Sequence, residues 1–335
     1  MNSNDKKNSF AQVGEFGLID RIRQQVQHDS SVPLGIGDDC AATVIPEGHL
    51  LLTSKDLLIE DIHFRRDWID MYSLGRKSAA VNLSDIAAMG GTARHLFLGV
   101  GLPATLTGDE IDQFTTGFLD ETSAAGATLC GGDTCRSGGS LLISVTVQGS
   151  IEPQQLITRD SAQQGDAIYV SGTLGDSALA LAQLQAGSTP TSYLIQRHHQ
   201  PTPRLKLGQA LAKQGLVTAM IDLSDGLFSD LGHILEQSNL GAIIDQHQIP
   251  LSDEVKKHLR NSSNDNKLII HGGEDYELLF TVEQQHCAAI ERLSRQLNLP
   301  LSRIGTMLPA TSGLNLIDLN GKQQPIQATG FNHFN

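Results

Sequence analysis

The feature that most constrains this chain is an alternation of helical and extended periodicity that runs once, stops and starts again. In the first run, Phe16, Ile19, Ile22 and Val26 recur at helical spacing within GEFGLIDRIRQQV, and HLLLTS is strand-like. SLGRKSAAVNLSDIAAM has the small and apolar residues of a buried helix, HLFLGVGLP reads as a strand, GDEIDQFTTGFLDETSAAGA as a helix and LLISVTVQGSI as a strand. The polar, proline-bearing stretch EPQQLITRDSAQQGD then reads as a connection. After it, DAIYVSGTLGDSALALAQLQAG gives strand, glycine turn and helix, and VTAMIDLSDGLFSDLGHILEQS repeats that order with Leu227, Leu231, Ile234 and Leu235 on one helix face. KLIIHGGEDYELLFTV holds a further strand. At 335 residues the chain is long for one core, so the pattern predicts an α/β (α+β) protein of two domains, residues 1–150 and 151–335.

Charge narrows the function classes. A formal net charge of -13, with no basic run longer than RR or KK, argues against nucleic acid as a partner, because phosphate backbones are held by clustered Lys and Arg. MNSNDKKNS lacks the apolar stretch of a secretory signal, and no window approaches the ~18 apolar residues of a membrane span, so no membrane partner and a cytoplasmic location are expected. Cys40, Cys130, Cys135 and Cys287 show neither C-x-x-C nor zinc spacing and are expected to be reduced, buried or half-buried thiols without a catalytic role.

Within this acidic chain, carboxylates recur where apolar runs end. They are Asp38 and Asp39 in GIGDDC, Asp56 in TSKDLL, Asp85 in NLSDIAAMGG, Asp133 in LCGGDTCR, Asp222 and Asp225 in IDLSDGL, and Glu274 and Asp275 in HGGEDYELLF. A lone Asp beside Gly is turn chemistry or a helix cap. Six such sites with no Lys or Arg run to neutralise them point instead to hard cations: Mg²⁺ takes one or two carboxylates, completed by water and phosphate oxygens. The chain has no G-x-x-x-x-G-K-[ST], no complete G-x-G-x-x-G and no kinase H-R-D loop. Phosphates would then be met by backbone N–H groups in glycine turns such as SGTLGDSA and LCGGDTCR, with Arg136 and Arg159 as charge partners.

The ordered set GEFGLI, GIGDDCA, His63–Phe64, AVNLSDIAAMG, GGDT, LITR, GDSA, RHHQPTPR, IDLSDGL, GGEDYEL and GFNHF, from about Gly14 to Phe334, resembles the thiamine-monophosphate kinases. These belong to the ATP-binding superfamily that includes aminoimidazole-ribonucleotide synthetase and selenophosphate synthetase. The resemblance implies two α/β domains with mixed sheets covered by helices. The N-terminal domain would bind ATP and Mg²⁺ and dimerise, and the C-terminal domain would complete the active site of a homodimer. It implies phosphoryl transfer from ATP to thiamine phosphate with several Mg²⁺ ions. Carried over motif by motif, Asp39, Ser54, Asp56, Asp85, Asp133, Asp222 and Asp225 would be metal ligands, with Asp38 orienting its neighbour. Gly132, Asp133, Arg159 and Ser224 would touch ATP, and His63, Glu274 and Phe331 the thiamine phosphate.

The family often has Thr where this chain has Lys55. If LLLTSKDLL is a strand, Ser54 and Asp56 share a face and Lys55 points the other way, offering the metal only its backbone carbonyl; if the strand ends at Thr53, the ammonium enters the acidic cluster. Alternation favours the first. The acceptor oxygen of a phosphomonoester, whose second pKa is ~6, is already largely anionic at neutral pH, so the transfer calls for no general base. Two alternatives use similar carboxylates: a selenophosphate synthetase-like enzyme, whose relatives carry a reactive Cys or Lys in a flexible segment, and a Mg²⁺-dependent phosphomonoesterase. A non-catalytic nucleotide-binding module is a third.

Overall fold

The computed structural model describes residues 10–27, 29–261, 268 and 272–328. The chain divides into two compact units, one holding the residues up to Ile86 together with Thr92–Pro153, the other Ala87–Gly91 and the residues from Gln154 onward.

The first unit carries α1 (Phe10–Gln25), β1 (Leu50–Ile59), α2 (Met71–Ala88), β2 (Thr92–Pro103), α3 (Gly108–Ala124), β3 (Thr128–Ser137) and β4 (Leu142–Ile151). Its sheet has the order β1-β4-β2-β3, with β2 and β3 parallel and the other pairs antiparallel. A parallel neighbour needs a crossover, and α3 supplies it. That helix begins at a capping box, Thr107 with Glu110, which satisfies two backbone donors otherwise left open at its first turn. Ile143, Val145 and Val147 alternate along β4 on a buried face with Leu74, Leu83, Ile86 and Phe118 of the helices. The other face begins to show in Leu51 and Leu57 of β1 and Leu142 of β4, all exposed.

In this unit the element missed in the sequence is β3. LCGGDTCR is a strand instead of the expected turn, and the reason is close approach. A Cβ on Gly132 would stand 1.9 Å from the carbonyl oxygen of Leu98, so glycine lets β3 lie against β2. Cys130 is buried, but Cys40 and Cys135 are exposed, against expectation: Cys40 lies in the exposed segment around Asp38 and Asp39, and Cys135 on an outward-facing position of β3.

The second unit carries β5 (Ala167–Ser171), α4 (Asp176–Gln185), α5 (Ser192–His199), α6 (Leu205–Gln214), β6 (Ala219–Asp222), α7 (Leu227–Ser238), β7 (Leu240–Asp245), α8 (Asp253–Asn261), β8 (Leu278–Val282), α9 (Cys287–Leu297), β9 (Leu301–Pro309), β10 (Leu314–Ile317) and β11 (Gln323–Pro325). Its mixed sheet has the order β11-β10-β7-β9-β5-β8-β6, with β7 and β10 parallel. Ile168 and Val170 of β5, Leu279 of β8 and Ile304 and Met307 of β9 pack with Leu227, Leu231, Ile234 and Leu235 of α7 in one core, the helix face expected from the sequence. The last strand read from KLIIHGGEDYELLFTV is shorter than expected. It begins at Leu278, because Glu274 and Tyr276 take positive φ values of 63° and 49°, which no extended strand accommodates.

Candidate active site

In the first unit the carboxylates sit on regular elements. Ser54 and Asp56 of β1 lie opposite Val147 and Val145, both fully buried, and so face the helices. The Ser54 hydroxyl donates to Asp85 Oδ2 of α2 at 2.5 Å, and the Asp56 backbone N–H donates to Asn82 Oδ1 at 3.2 Å. Lys55 points to the opposite face, where its Nζ donates to Ser144 Oγ at 2.6 Å. Of the two geometries open to Lys55, the structure therefore has the alternating one. Burial, and then the nearby Asp85 carboxylate, push the Asp56 carboxyl up to about 6. That places two acidic side chains in repulsion.

Asp38 and Asp39 are exposed beside Gly37, with the Asp39 N–H donating to Asp38 Oδ1 at 2.8 Å. Asp133 is an exposed residue of β3, and Arg136 lies further along the same strand. His63 is half-buried beside the buried Phe64, and its Nδ1 accepts the Ile59 N–H at 3.0 Å, which leaves Nε2 as the protonated nitrogen of the neutral ring.

In the second unit the acids lie in connections. Asp222 closes β6 and is 5% exposed; Ser224 and Asp225 follow in the turn to α7. The backbone N–H groups of Asp225 and Gly226 both donate to Asp230 Oδ2, each at 3.1 Å. Burial first, then the charges of Asp222 and Asp225, raise Asp230 to about 8. Sequence reading did not single out Asp230. The signal was an acid in the first turn of a helix that opens on Gly226.

Alongside runs the loop that carries Glu274. Leu223 N–H donates to Glu277 O at 2.8 Å, Tyr276 N–H to Leu223 O at 2.9 Å and Glu274 N–H to Ser224 O at 2.7 Å, which joins the two loops beyond the β6–β8 pairing. Asp275 accepts the Gly175 N–H at 2.8 Å and is pushed up to about 7, by burial first and against the opposing pull of Arg197. Glu277, fully buried, accepts from Arg204 at 2.5 and 2.7 Å, from Arg197 at 3.0 Å and from the Ser171 hydroxyl at 2.5 Å.

These bonds correct one expectation. The helix N-terminus in SGTLGDSA and the one after IDLSDGL direct backbone donors at Asp275 and Asp230, the chain's own carboxylates, and LCGGDTCR is a strand. Arg159 is half-buried in the segment before β5, where its carbonyl accepts from the Ser238 hydroxyl at 2.8 Å. Phe331 lies outside the described residues.

Among the described residues, no three His, Cys, Asp or Glu side chains gather closely enough to hold a metal ion by themselves. The donors are nonetheless those of Mg²⁺. They are oxygen atoms of carboxylates crowded in pairs, Asp56 with Asp85 and Asp230 with Asp222 and Asp225, whose repulsion a divalent cation relieves while water and phosphate oxygens complete its shell.

Residues 37–151 match the AIR synthase related protein N-terminal domain and residues 163–313 its C-terminal domain, so the fold and its acidic loops define the AIR-synthase-related class. Thiamine-monophosphate kinase of Haemophilus influenzae is 41% identical over 330 residues, covering 96% of this chain and 98% of that one. The crystal structure of thiamine-monophosphate kinase from Stenotrophomonas maltophilia K279a is 38% identical with a TM-score of 0.82, covering 91% and 96% of the two chains. AaThiL complexed with AMPPCP and TMP is 31% identical with a TM-score of 0.76, covering 97% and 98%. The chain belongs to the thiamine-monophosphate kinase family and is an enzyme of that kind.

Proposed function

We propose that this enzyme transfers the terminal phosphoryl group of ATP to thiamine phosphate, giving ADP and thiamine diphosphate, by direct in-line displacement. The observation that carries the reading is the end-to-end likeness to a kinase solved with AMPPCP and TMP, over a chain that sets crowded carboxylates in both of its units. ATP as donor also favours the cytoplasmic setting. Asp39, Ser54, Asp56, Asp85, Asp133, Asp222 and Asp225 would hold Mg²⁺, Lys55 contributing at most its backbone carbonyl. When bound, Mg²⁺ would neutralise phosphate charge and so lower the repulsion between two polyanions.

The remaining work falls to the chain's own groups. Gly132, Asp133, Arg159 and Ser224 would receive ATP. His63 would offer Nε2–H to the acceptor phosphate, and Glu274 and Phe331 would engage the thiamine rings, where an aromatic face against a ring cation contributes ~1–2 kcal/mol. No side chain need take a proton, since the acceptor oxygen is already anionic. A homodimer would form through the first unit, whose exposed Leu51, Leu57 and Leu142 suit burial against a second copy.

ADP release measured with Mg²⁺–ATP and thiamine phosphate, thiamine or no acceptor tests the reading. ADP is expected with thiamine phosphate alone. Comparable rates with free thiamine would overturn it, and phosphate release from thiamine phosphate without ATP would favour a phosphomonoesterase.

A further inference from the structure

The RHHQPTPR segment is left without a role by the reaction as read above, yet it meets the loop that carries Glu274. Glu274 stands at φ 63°, a left-handed conformation that a side chain with a Cβ adopts only when its surroundings hold it there. The base of the loop is held firmly. Glu277 is locked by Arg197, Arg204 and Ser171, Asp275 by the Gly175 N–H, and Gly273 packs so closely that a Cβ there would lie 2.5 Å from the Ser224 carbonyl oxygen. What these contacts do not fix is the direction of the Glu274 carboxylate, whose side chain is 29% exposed.

His198, in the last turn of α5, reaches that carboxylate. Its Nδ1 lies 3.4 Å from Glu274 Oε2 and 2.8 Å from the Ser177 hydroxyl of α4, and its side chain is only 7% exposed. A carboxylate can only accept, so the contact is attractive when Nδ1 carries the proton, and Ser177 Oγ can then accept from the same N–H. Arg197, His198 and His199 together end α5, where its dipole favours a donor.

We propose that His198 is a positioning residue: buried between α4 and the Glu274 loop, it aims the Glu274 carboxylate at the thiamine phosphate. This rests on the reading of Glu274 as a substrate residue. Because the loop is anchored independently through Glu277 and Asp275, losing the His198 contact leaves the loop in place and removes one of the contacts that orient the carboxylate. Misorientation of a binding group weakens recognition of its own ligand and leaves the other substrate untouched.

The test is steady-state kinetics of His198→Ala and His198→Asn, with Glu274→Gln as reference and melting temperature recorded for each. His198→Ala is expected to raise KM for thiamine phosphate about tenfold while KM for ATP stays within about twofold. His198→Asn, whose amide nitrogen sits at the same depth as Nδ1, is expected to restore most of that loss. Should the alanine variant not fold, His198→Gln, which moves the donor outward by one bond, takes its place with the same expectation. In the Glu274→Gln background, removing His198 should add little. An unchanged KM for thiamine phosphate in His198→Ala, or an equal rise for both substrates that His198→Asn does not repair, overturns the proposal while leaving Glu274 its role. A Glu274→Gln enzyme with unchanged KM for thiamine phosphate overturns that role, and the proposal with it.

Discussion

The two units crowd negative charge in different ways. In the first, Ser54, Asp56 and Asp85 belong to β1 and α2, elements whose own hydrogen bonds and packing fix them, so each carboxylate is where a strand or helix puts it. In the second, Asp222, Ser224 and Asp225 lie in the turn between β6 and α7, and the turn is shaped by a further carboxylate, Asp230, that draws two backbone N–H groups inward. Regular structure fixes where these charges stand: the Ser54 hydroxyl donates to Asp85, and Asn82 holds the backbone N–H of Asp56 while leaving its carboxylate to other partners. At the N-terminus of α7 two backbone donors go to one acid, Asp230, which stands beside the buried Asp222. The first cluster is thus built from side chains on packed elements and the second around backbone donors in a turn, and in both an acid is raised by burial and by its neighbours' charge.

The largest expected effect tests whether both clusters serve the same reaction. Asp222→Asn and Asp56→Asn should each lower kcat by an amount equivalent to several kcal/mol at saturating Mg²⁺, if each carboxylate helps neutralise developing phosphate charge. The comparison predicts a difference in the metal-free protein. Asp56→Asn, which removes its repulsion with Asp85, should raise the melting temperature, whereas Asp222→Asn, whose neighbour Asp230 is already held by two backbone N–H groups, should leave it nearly unchanged. Equal melting temperatures in calorimetry without Mg²⁺ would erase the distinction, and normal turnover in either variant would remove that residue from the site.

The rigidity of the first unit depends in part on Gly132, pressed against the Leu98 carbonyl. Gly132→Ala should force β2 and β3 apart and destabilise the protein by about 1–3 kcal/mol in denaturant titration, as overpacking does elsewhere. A loss below ~0.5 kcal/mol, the ordinary level for surface changes, would show that β3 can shift against β2.

That glycine also shows what the sequence could and could not convey. The expected helices and most strands of the first unit were legible from apolar periodicity, because α2, α3, β2 and β4 each bury one face. GGDTC has no periodicity and contains three residues usually found in turns, and only the neighbouring backbone reveals that glycine was needed for contact. Asp56, Asp85 and Asp133 looked like acids at the ends of apolar runs but lie inside elements, whereas Asp222 and Asp225 do stand at a strand end. The short α5 and the strands β7, β9, β10 and β11 left too little pattern to be drawn from sequence. The Arg197–Glu277–Arg204 network was illegible for a different reason, since its partners lie far apart in the chain, whereas Asp230 binds backbone groups four and five residues before it and reads in sequence as an ordinary helix acid.

A smaller effect should appear in the pH dependence of the second unit. Asp275 is raised from an ordinary carboxylate value to about 7 by burial, so the folded protein holds its proton over a range where the unfolded chain has lost it. The folded state then binds more protons than the unfolded one between about pH 4 and 7, and stability must fall as pH rises through that window. Asp275→Asn keeps an oxygen for the Gly175 N–H but cannot ionise. Its melting temperature should decline less from pH 5 to 7.5 than that of the parent protein. Parallel profiles would mean that Arg197 already compensates the charge on Asp275.

The smallest expected effect concerns Lys55, where a strand separates two chemistries by the direction of one side chain. Ser54 and Asp56 stand over buried valines and reach α2, while the Lys55 ammonium lies on the other face against Ser144, exposed to solvent. An ammonium held there is screened by water and salt in the single chain, and in a dimer formed through that face it still stands across the sheet from the carboxylates, so its influence on them is small. Lys55→Thr, followed through a Mg²⁺ titration at fixed ATP and ionic strength, should therefore move the Mg²⁺ requirement by less than about twofold, the range of an exposed charge. A tenfold shift, equivalent to ~1.4 kcal/mol, would mean that the ammonium stands in for part of a cation's charge. The first cluster would then contain its own counter-charge, and its contrast with the second, in which backbone donors at a helix N-terminus do that work, would disappear.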